Sequence, residues 1–285
     1  MASLSDISEP NHGITWCAGC GDFSILASLK LAISKMDVDP KDIVLASGIG
    51  CAGKLPHFIK TYGFESLHGR ALAAASGIKL ANHELEVIIV GGDGDGYGIG
   101  MAHFIHACRR NYNMTYIVHD NQVYGLTTGQ TSPTSEKGYK SKSTPDGVIE
   151  IPINPIALAI GAGATYVARA FSGDLAHMSE VIKGGLEHRG FALIDVLQPC
   201  VTWNKINTFD YFKKKCYKLD SSYDPTDRWG AFRKAEEWEN GIPLGVIYRG
   251  ERSIYEDELP ALKSGPLAKR NIDNVDIGEL IKEYE

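Results

Sequence analysis

Five short apolar runs rich in β-branched residues alternate along the chain with helix-length segments, and this alternation restricts the possible folds most sharply. The runs are "DIVLAS" (42–47), "VIIVGG" (87–92), "TYIVHD" (115–120), "TYVARA" (165–170) and "FALIDVL" (191–197). Helices are predicted over 22–36, 69–82, 100–111, 153–164 and 173–189. Near-continuous apolar strands separated by helices point to an α/β, doubly wound, mostly parallel sheet with helices on both faces. In such a sheet, ligands bind outside the carboxyl ends of the strands.

Two glycine-rich loops sit at predicted strand ends. "GIGCAGKL" (48–55) matches the spacing of a nucleotide-triphosphate loop but ends in Leu55, so the hydroxyl that would ligate magnesium is missing. "VGGDGDGYGIG" (90–100) offers bare backbone but fits no dinucleotide-binding register. It also carries Asp93 and Asp95, which would repel a phosphate. A hard cation between acid and phosphate removes the conflict, since magnesium commonly bridges carboxylate and phosphate oxygens. The next strand ends in Asp120 and Asn121, with Asn121 placed 28 residues after Asp93, the length of one crossover helix and one strand. A carboxylate, an amide oxygen and a backbone carbonyl there would hold magnesium on a diphosphate. The plainer reading makes the two aspartates caps of the following helix.

Cys17 and Cys20 form a C-x-x-C flanked by Gly19 and Gly21, while Cys51 and Cys200 each follow a predicted strand. Four thiolates on one sheet edge suit a 4Fe-4S cluster or a structural zinc, and their number does not separate the two. Cys108 reads as core packing and Cys216, in "KKKCYK", as an exposed thiol outside any site.

"GDG" followed after 25 residues by "DN" resembles the thiamine diphosphate motif, with Asp120 in place of its first Asn. "GITWCAGCGDF", "SGIGCAG", "LHGRA" and "YIVHDNQVYGLTTGQTSPT" add to it. Together they resemble the beta subunit of a 2-oxoacid:ferredoxin oxidoreductase, over residues 12 to about 215. The resemblance implies magnesium on Asp93, Asn121 and the carbonyl of Val123. It implies thiamine diphosphate against Gly94, Asp95, Gly125, Leu126, the stretch Ile49, Gly50, Cys51 and Ala52, and His68. It assigns Cys17, Cys20, Cys51 and Cys200 to a 4Fe-4S cluster, through which electrons pass singly to ferredoxin; zinc has no redox chemistry. His68 and Lys54 are the candidate catalytic residues, with Lys54 a candidate for the substrate carboxylate. Without the "LHGR" context His68 would read as a core or capping histidine.

The implied reaction is reversible, coenzyme A-dependent oxidative decarboxylation of a 2-oxoacid through a thiamine diphosphate adduct. The leading substrate is 2-oxoglutarate, giving succinyl-CoA. The alternatives are pyruvate as substrate, or a zinc-stapled, non-redox thiamine diphosphate decarboxylase subunit. One GDG module implies a partner, an alpha or fused gamma-alpha subunit, that supplies the aminopyrimidine side and its activating Glu.

The remaining features set limits. A net charge of −6 argues against nucleic acid as a partner. Apolar runs such as "VIIV" are too short to span a bilayer, and the polar start of the chain carries no leader-like segment, so a cytoplasmic location is expected. Residues 1–204 are expected to form the cofactor-binding α/β domain and 205–285 an arm packed on the core or on a partner subunit. Lys213 to Lys215 could steer an acidic ferredoxin, although such a run is ordinarily a solvated face.

Overall fold

In the computed structural model, which describes residues 3–9, 13–272 and 275–284, the alternation folds into one eight-stranded sheet. In chain order the strands are β1 (Ile43–Ser47), β2 (Tyr62–Glu65), β3 (Glu86–Gly92), β4 (Met114–Asp120), β5 (Val123–Tyr124), β6 (Gln130–Thr131), β7 (Tyr166–Phe171), β8 (Phe191–Leu197), β9 (Cys216–Lys218) and β10 (Ile242–Arg249). The sheet order is β2-β1-β3-β4-β8-β7-β10-β9, and β5 and β6 pair separately as a small hairpin. The six strands from β2 to β7 run parallel, β10 is antiparallel to β7, and β9 is parallel to β10.

Strand residues alternate between two cores, as the pleat requires. Leu45, Ile88, Val90, Ile117 and Ile194 meet α1 (Asp22–Ser34) and, further along the chain, the helix Leu175–Leu186. Ala46, Val87, Ile89, Tyr116, Val118 and Leu193 meet α2 (Ala71–Ala81), α3 (Met101–Arg110) and α4 (Pro155–Ala162). With Leu175–Leu186 numbered α5, both faces of the sheet are covered, which is the doubly wound arrangement. Helix starts follow local chemistry. Asn154 accepts from Ala157 N ahead of Pro155 at α4, and Asp174 accepts from His177 N at α5. Among the described residues no helix is long and apolar enough to cross a membrane.

The segment after residue 204 extends the same sheet. It adds α6 (Phe209–Lys215), β9, α7 (Arg228–Ala235) and β10, with Ala231 and Ala235 packed into the α2–α4 core. Arg252 donates to the carbonyls of Cys108, Arg109 and Gly163, which α3 and α4 leave unpaired at their C-terminal ends. Asn111, in the left-handed region at φ 55°, ends α3 and donates to the carbonyls of Arg252 and Ser253. Cys216 is half-buried in β9 against the Phe171–Phe212 cluster, so its side chain is less exposed than "KKKCYK" suggests.

A buried titratable chain sits at the opposite end of the sheet from the carboxyl edge. Thr165 donates to Asn111 Oδ1 and therefore accepts from His188 Nε2, fixing the neutral tautomer. Burial, then the charge of Arg249, pushes His188 from an ordinary 6.5 down to about 4. Between those values the unfolded chain binds a proton that the native chain refuses, so this contribution to stability is present above pH 6.5 and is lost as pH falls towards 4. His188→Gln is expected to flatten the acid limb of the Tm–pH curve. Parallel acid limbs for the two proteins would refute the assignment.

Candidate functional site

Parallel strands deliver their carboxyl ends to one edge, and the loops after β1, β2, β3 and β4 meet there. They line a cavity of about 180 Å3 with Ile49, Gly50, Cys51, Ala52, His68, Gly92, Asp93, Gly94, Asp95, His119, Asn121, Val123, Tyr124, Gly125, Leu126 and Thr127. All the cofactor and magnesium residues expected from the sequence are in that lining. A side-chain carbon on Gly92 would meet no protein atom within 4 Å, so at this position the bare backbone faces open space.

Asp95, only 3% exposed, is a clasp between loops. Its Oδ1 accepts from Ile49 N (3.1 Å) and Gly69 N (2.8 Å) and pairs with His68 Nδ1 at 2.8 Å. Burial raises its pKa, while the two amides and His68 work the other way. Asp93 and Asp95 cap no helix: neither makes a side-chain cap bond to the wide turn Gly94–Ile99, and α3 starts from Gly100. The glycines also have a different cause from the one the sequence suggests. A side-chain carbon on Gly94 would come within 2.3 Å of the Tyr124 ring, and one on Gly96 within 2.0 Å of the Tyr116 hydroxyl. The loop is bare chiefly because two tyrosines and a carboxylate pack against it.

Asp93 is oriented by the loop after β4. Ser132 Oγ and Thr134 Oγ1 both donate to its Oδ2, the latter at 2.6 Å. Thr134 also lies 2.9 Å from Asp120 Oδ1 but has a single proton to give. Burial, then the charges of Asp195 and Asp93, pushes Asp120 far above the usual carboxylate range. Asp120 does not line the cofactor cavity; it faces a second cavity with Asp195 and Arg169. Asn121 Oδ1 accepts from Val123 N at 3.1 Å in a tight Asx turn.

The thiols gather along the same edge. Cys20 N donates to Cys17 O at 3.0 Å, closing a turn that Gly19 permits at φ 79°. A side-chain carbon on Gly125 would stand 3.6 Å from Cys200 Sγ, 3.8 Å from Cys51 Sγ and 3.9 Å from Asn121 Nδ2. Burial, then Asp22, pushes Cys51 up to about 11; Lys54 opposes this, and Cys200 and Cys17 add to it. Burial, then Asp22, also raises Cys20, with a contribution from Cys200. Among the described residues no three His, Cys, Asp or Glu side chains close tightly enough to chelate one ion. Lys54 acts on Cys51 and is absent from the cavity lining. Cys108 is fully buried between α3 and the sheet.

Several residues here were given no role from the sequence. His119 Nδ1 bonds Asp22 Oδ1 at 2.6 Å, both side chains 1% exposed, and His119 lines the cavity. Ser132, Thr134 and Gln198 join the site from loops and Tyr124 from β5. His119, Tyr124, Ser132 and Thr134 lie in the stretch "YIVHDNQVYGLTTGQTSPT", which runs into the hydroxyl-rich "TSPTS".

Residues 48–196 match the family described as thiamine pyrophosphate enzyme, C-terminal TPP binding domain. Residues 200–264 match the family described as the C-terminal part of the beta chain of pyruvate ferredoxin oxidoreductase. The chain is 48% identical to the 2-oxoacid:ferredoxin oxidoreductase subunit beta of Saccharolobus solfataricus, covering 94% of this chain and 95% of that protein. It is 46% identical to the 2-oxoglutarate oxidoreductase subunit KorB of Mycobacterium tuberculosis, over 85% of this chain and 61% of that one. A solved 2-oxoglutarate:ferredoxin oxidoreductase from Magnetococcus marinus, with 2-oxoglutarate, coenzyme A and succinyl-CoA bound, superposes with a TM-score of 0.91 at 36% identity. That match covers 100% of this chain and 96% of the other.

If Asp95 is a clasp, its loss destabilises the protein even without cofactor. Asp95→Asn is expected to cost about 2–3 kcal/mol, because charged hydrogen bonds to buried amides are weakened. That corresponds to a Tm drop on the order of 5 °C. An unchanged Tm without cofactor would leave Asp95 as a ligand contact only.

Proposed function

The chain belongs to the beta subunits of the 2-oxoacid:ferredoxin oxidoreductases, and from that premise we propose how its residues divide the work. As such a subunit it is part of a CoA-acylating oxidoreductase and works with partner chains. The reaction we assign is coenzyme A-dependent oxidative decarboxylation of 2-oxoglutarate, with electrons leaving singly to ferredoxin. 2-Oxoglutarate is preferred over pyruvate because it is the acid named for several relatives and bound in the solved relative.

The observation that carries this reading is the shared wall at Gly125. One point there lies within 4 Å of two cysteine sulfurs and of the Asn121 amide, on the lining of the cavity. A redox group on the thiols and a cofactor in the cavity would therefore be near neighbours. The residues fit the groups. Gly92 leaves backbone open to a diphosphate. Asp93, Asn121 and the Val123 carbonyl form an all-oxygen set suited to magnesium. The Cys51 and Cys200 sulfurs stand within 4 Å of one point at Gly125, and an iron–sulfur cluster on the thiols could accept electrons there, which zinc could not.

Thiamine diphosphate, when bound, supplies the carbanion chemistry that decarboxylation needs. The chain's own residues prepare that site. Ser132 and Thr134 hold Asp93 Oδ2 and so orient its carboxylate. Asp95 holds His68 by Nδ1, which leaves Nε2 as the ring nitrogen able to meet cofactor or substrate. Lys54 stands beside Cys51 and lowers the cost of a thiolate there. Its role towards the substrate carboxylate requires a shift into the cavity once the complex assembles.

A partner alpha or fused gamma-alpha subunit would cover the cavity and supply the aminopyrimidine side. Exposed Leu67, Ile99 and Leu126 give the cavity mouth an apolar rim suited to such a seat. Ferredoxin would meet a surface reachable from the thiol edge, with Lys213 and Lys214 on α6 as steering charges.

The complex purified without oxygen is expected to be brown, with roughly four irons per chain of this type beyond any clusters on its partners. Cys51→Ala should lose that iron and keep its fold. A colourless chain holding one zinc would support the zinc-stapled decarboxylase alternative. Turnover with coenzyme A and a one-electron acceptor is expected to favour 2-oxoglutarate over pyruvate in kcat/KM. The reverse preference would overturn the substrate assignment and leave the family intact.

A further inference from the structure

Gln198, fully buried between β8 and Cys200, touches both halves of the site. Its Oε1 accepts from Asn121 Nδ2 at 3.0 Å. Its Nε2 donates to Cys20 Sγ at 3.2 Å and to Pro199 O at 3.0 Å. One side-chain amide thus spans a proposed magnesium ligand and a proposed cluster ligand.

The orientation of this amide is fixed by backbone. Val123 N–H donates to Asn121 Oδ1, which turns Asn121 Nδ2 towards Gln198. An N–H can meet only an acceptor, so Gln198 must present Oε1 there and Nε2 to the other side. The Pro199 carbonyl, which can only accept, agrees with that assignment. The neighbouring loop is shaped to allow the reach. A side-chain carbon on Gly21 would stand 2.6 Å from Ser172 Oγ, 2.8 Å from Gln198 Cγ and 3.2 Å from its Nε2, so a larger residue there would displace Ser172 and the amide together. The bare Gly21 thus leaves room for both Ser172 and the Gln198 amide beside Cys20.

We propose that Gln198 is a positioning residue that couples the magnesium–diphosphate site to the redox site. At one end it holds the Asn121 amide in place, so that the second lone pair of Oδ1, beside the Val123 N–H bond, is the one available to the metal. At the other it gives the Cys20 sulfur an N–H donor. This rests on the assignment above of Cys20 to the cluster and Asn121 to magnesium. Hydrogen bonds to cluster sulfurs stabilise the more negative, reduced state and so raise the potential. Outer-shell partners of metal ligands fix ligand orientation and affect metal affinity.

The test uses the assembled complex, with Gln198→Met and Gln198→Leu. Both remove the amide at similar volume, and Met tolerates irregular packing if Leu does not. Iron content and visible absorption of the unmodified complex come first. A lack of iron there would refute the cluster assignment itself and, with it, the coupling. With the cluster present, its midpoint potential is followed by EPR during a redox titration. Binding of thiamine diphosphate with magnesium is followed separately by tryptophan fluorescence. In either variant the potential of this cluster is expected to move to more negative values. Cofactor binding is expected to weaken roughly two- to tenfold, the effect of one net hydrogen bond. Both changes together support the proposal. An unchanged potential or an unchanged cofactor affinity, in a variant that retains its iron, overturns the coupling and leaves the cluster assignment standing. Gly21→Ala, which crowds both Ser172 and Gln198, should shift the potential in the same direction.

Discussion

Asp95 Oδ1 accepts two amides and one imidazole nitrogen from two different loops, and the geometry of the carboxyl edge depends on that clasp. Loops at strand ends are ordinarily the most mobile parts of an α/β sheet. Here the loop after β1, the loop before α2 and the loop after β3 are tied at one buried atom. The tie requires a close approach: a side-chain carbon on Gly48 would stand only 1.8 Å from Asp95 Oδ2. His68 and Ile49 reach the cavity because they are fastened to the same carboxylate. A site built from separate loops gains in this way the rigidity that binding geometry demands.

Behind the cavity wall lies an unusual concentration of buried acid. Asp93, Asp120 and Asp195 are each almost fully buried, and Arg169 approaches Asp195 at 3.8 Å. Tyr97 donates to Asp195 at 2.9 Å, and the Ser132 and Thr134 hydroxyls serve Asp93. Burial pushes all three carboxyl groups above their usual range, Asp195 to about 6. Such a group of acids is costly unless hydroxyls, protons or a cation offset it. That cost explains why the loop after β4 is so rich in Ser and Thr, and it makes a divalent cation at Asp93 a stabilising addition.

The sheet order brings the thiols and the cavity together. β8 is inserted between β4 and β7, so Gln198, Pro199 and Cys200 emerge directly beside Asp120 and Asn121. Gln198 N donates to Asp120 O at 2.8 Å, extending the ladder one step past the strands. Residues 77 positions apart in sequence thereby come within one hydrogen bond. The C-terminal segment completes the other edge, with β10 and β9 covering β7.

What the sequence determined by itself was the architecture and which residues of the motifs gather at the carboxyl edge of the sheet. Apolar β-branched runs and amphipathic helices have their own periodicity, so five strands and five helices were legible to within a few residues. Asp93, Asn121, Cys51 and Cys200 were legible as residues at strand ends, and Cys17 and Cys20 as a C-x-x-C ahead of α1. β10, "IPLGVIYR", was overlooked inside a mixed aromatic and charged segment, where no helix alternation frames it. Only the tertiary structure decided which partner each polar group found. Asp95 as a clasp, Ser132 and Thr134 on Asp93, and Gln198 between Asn121 and Cys20 are contacts across distant loops. Hydrogen bonds of that kind depend on the order in which strands lie in the sheet, and no local pattern in the chain encodes that order.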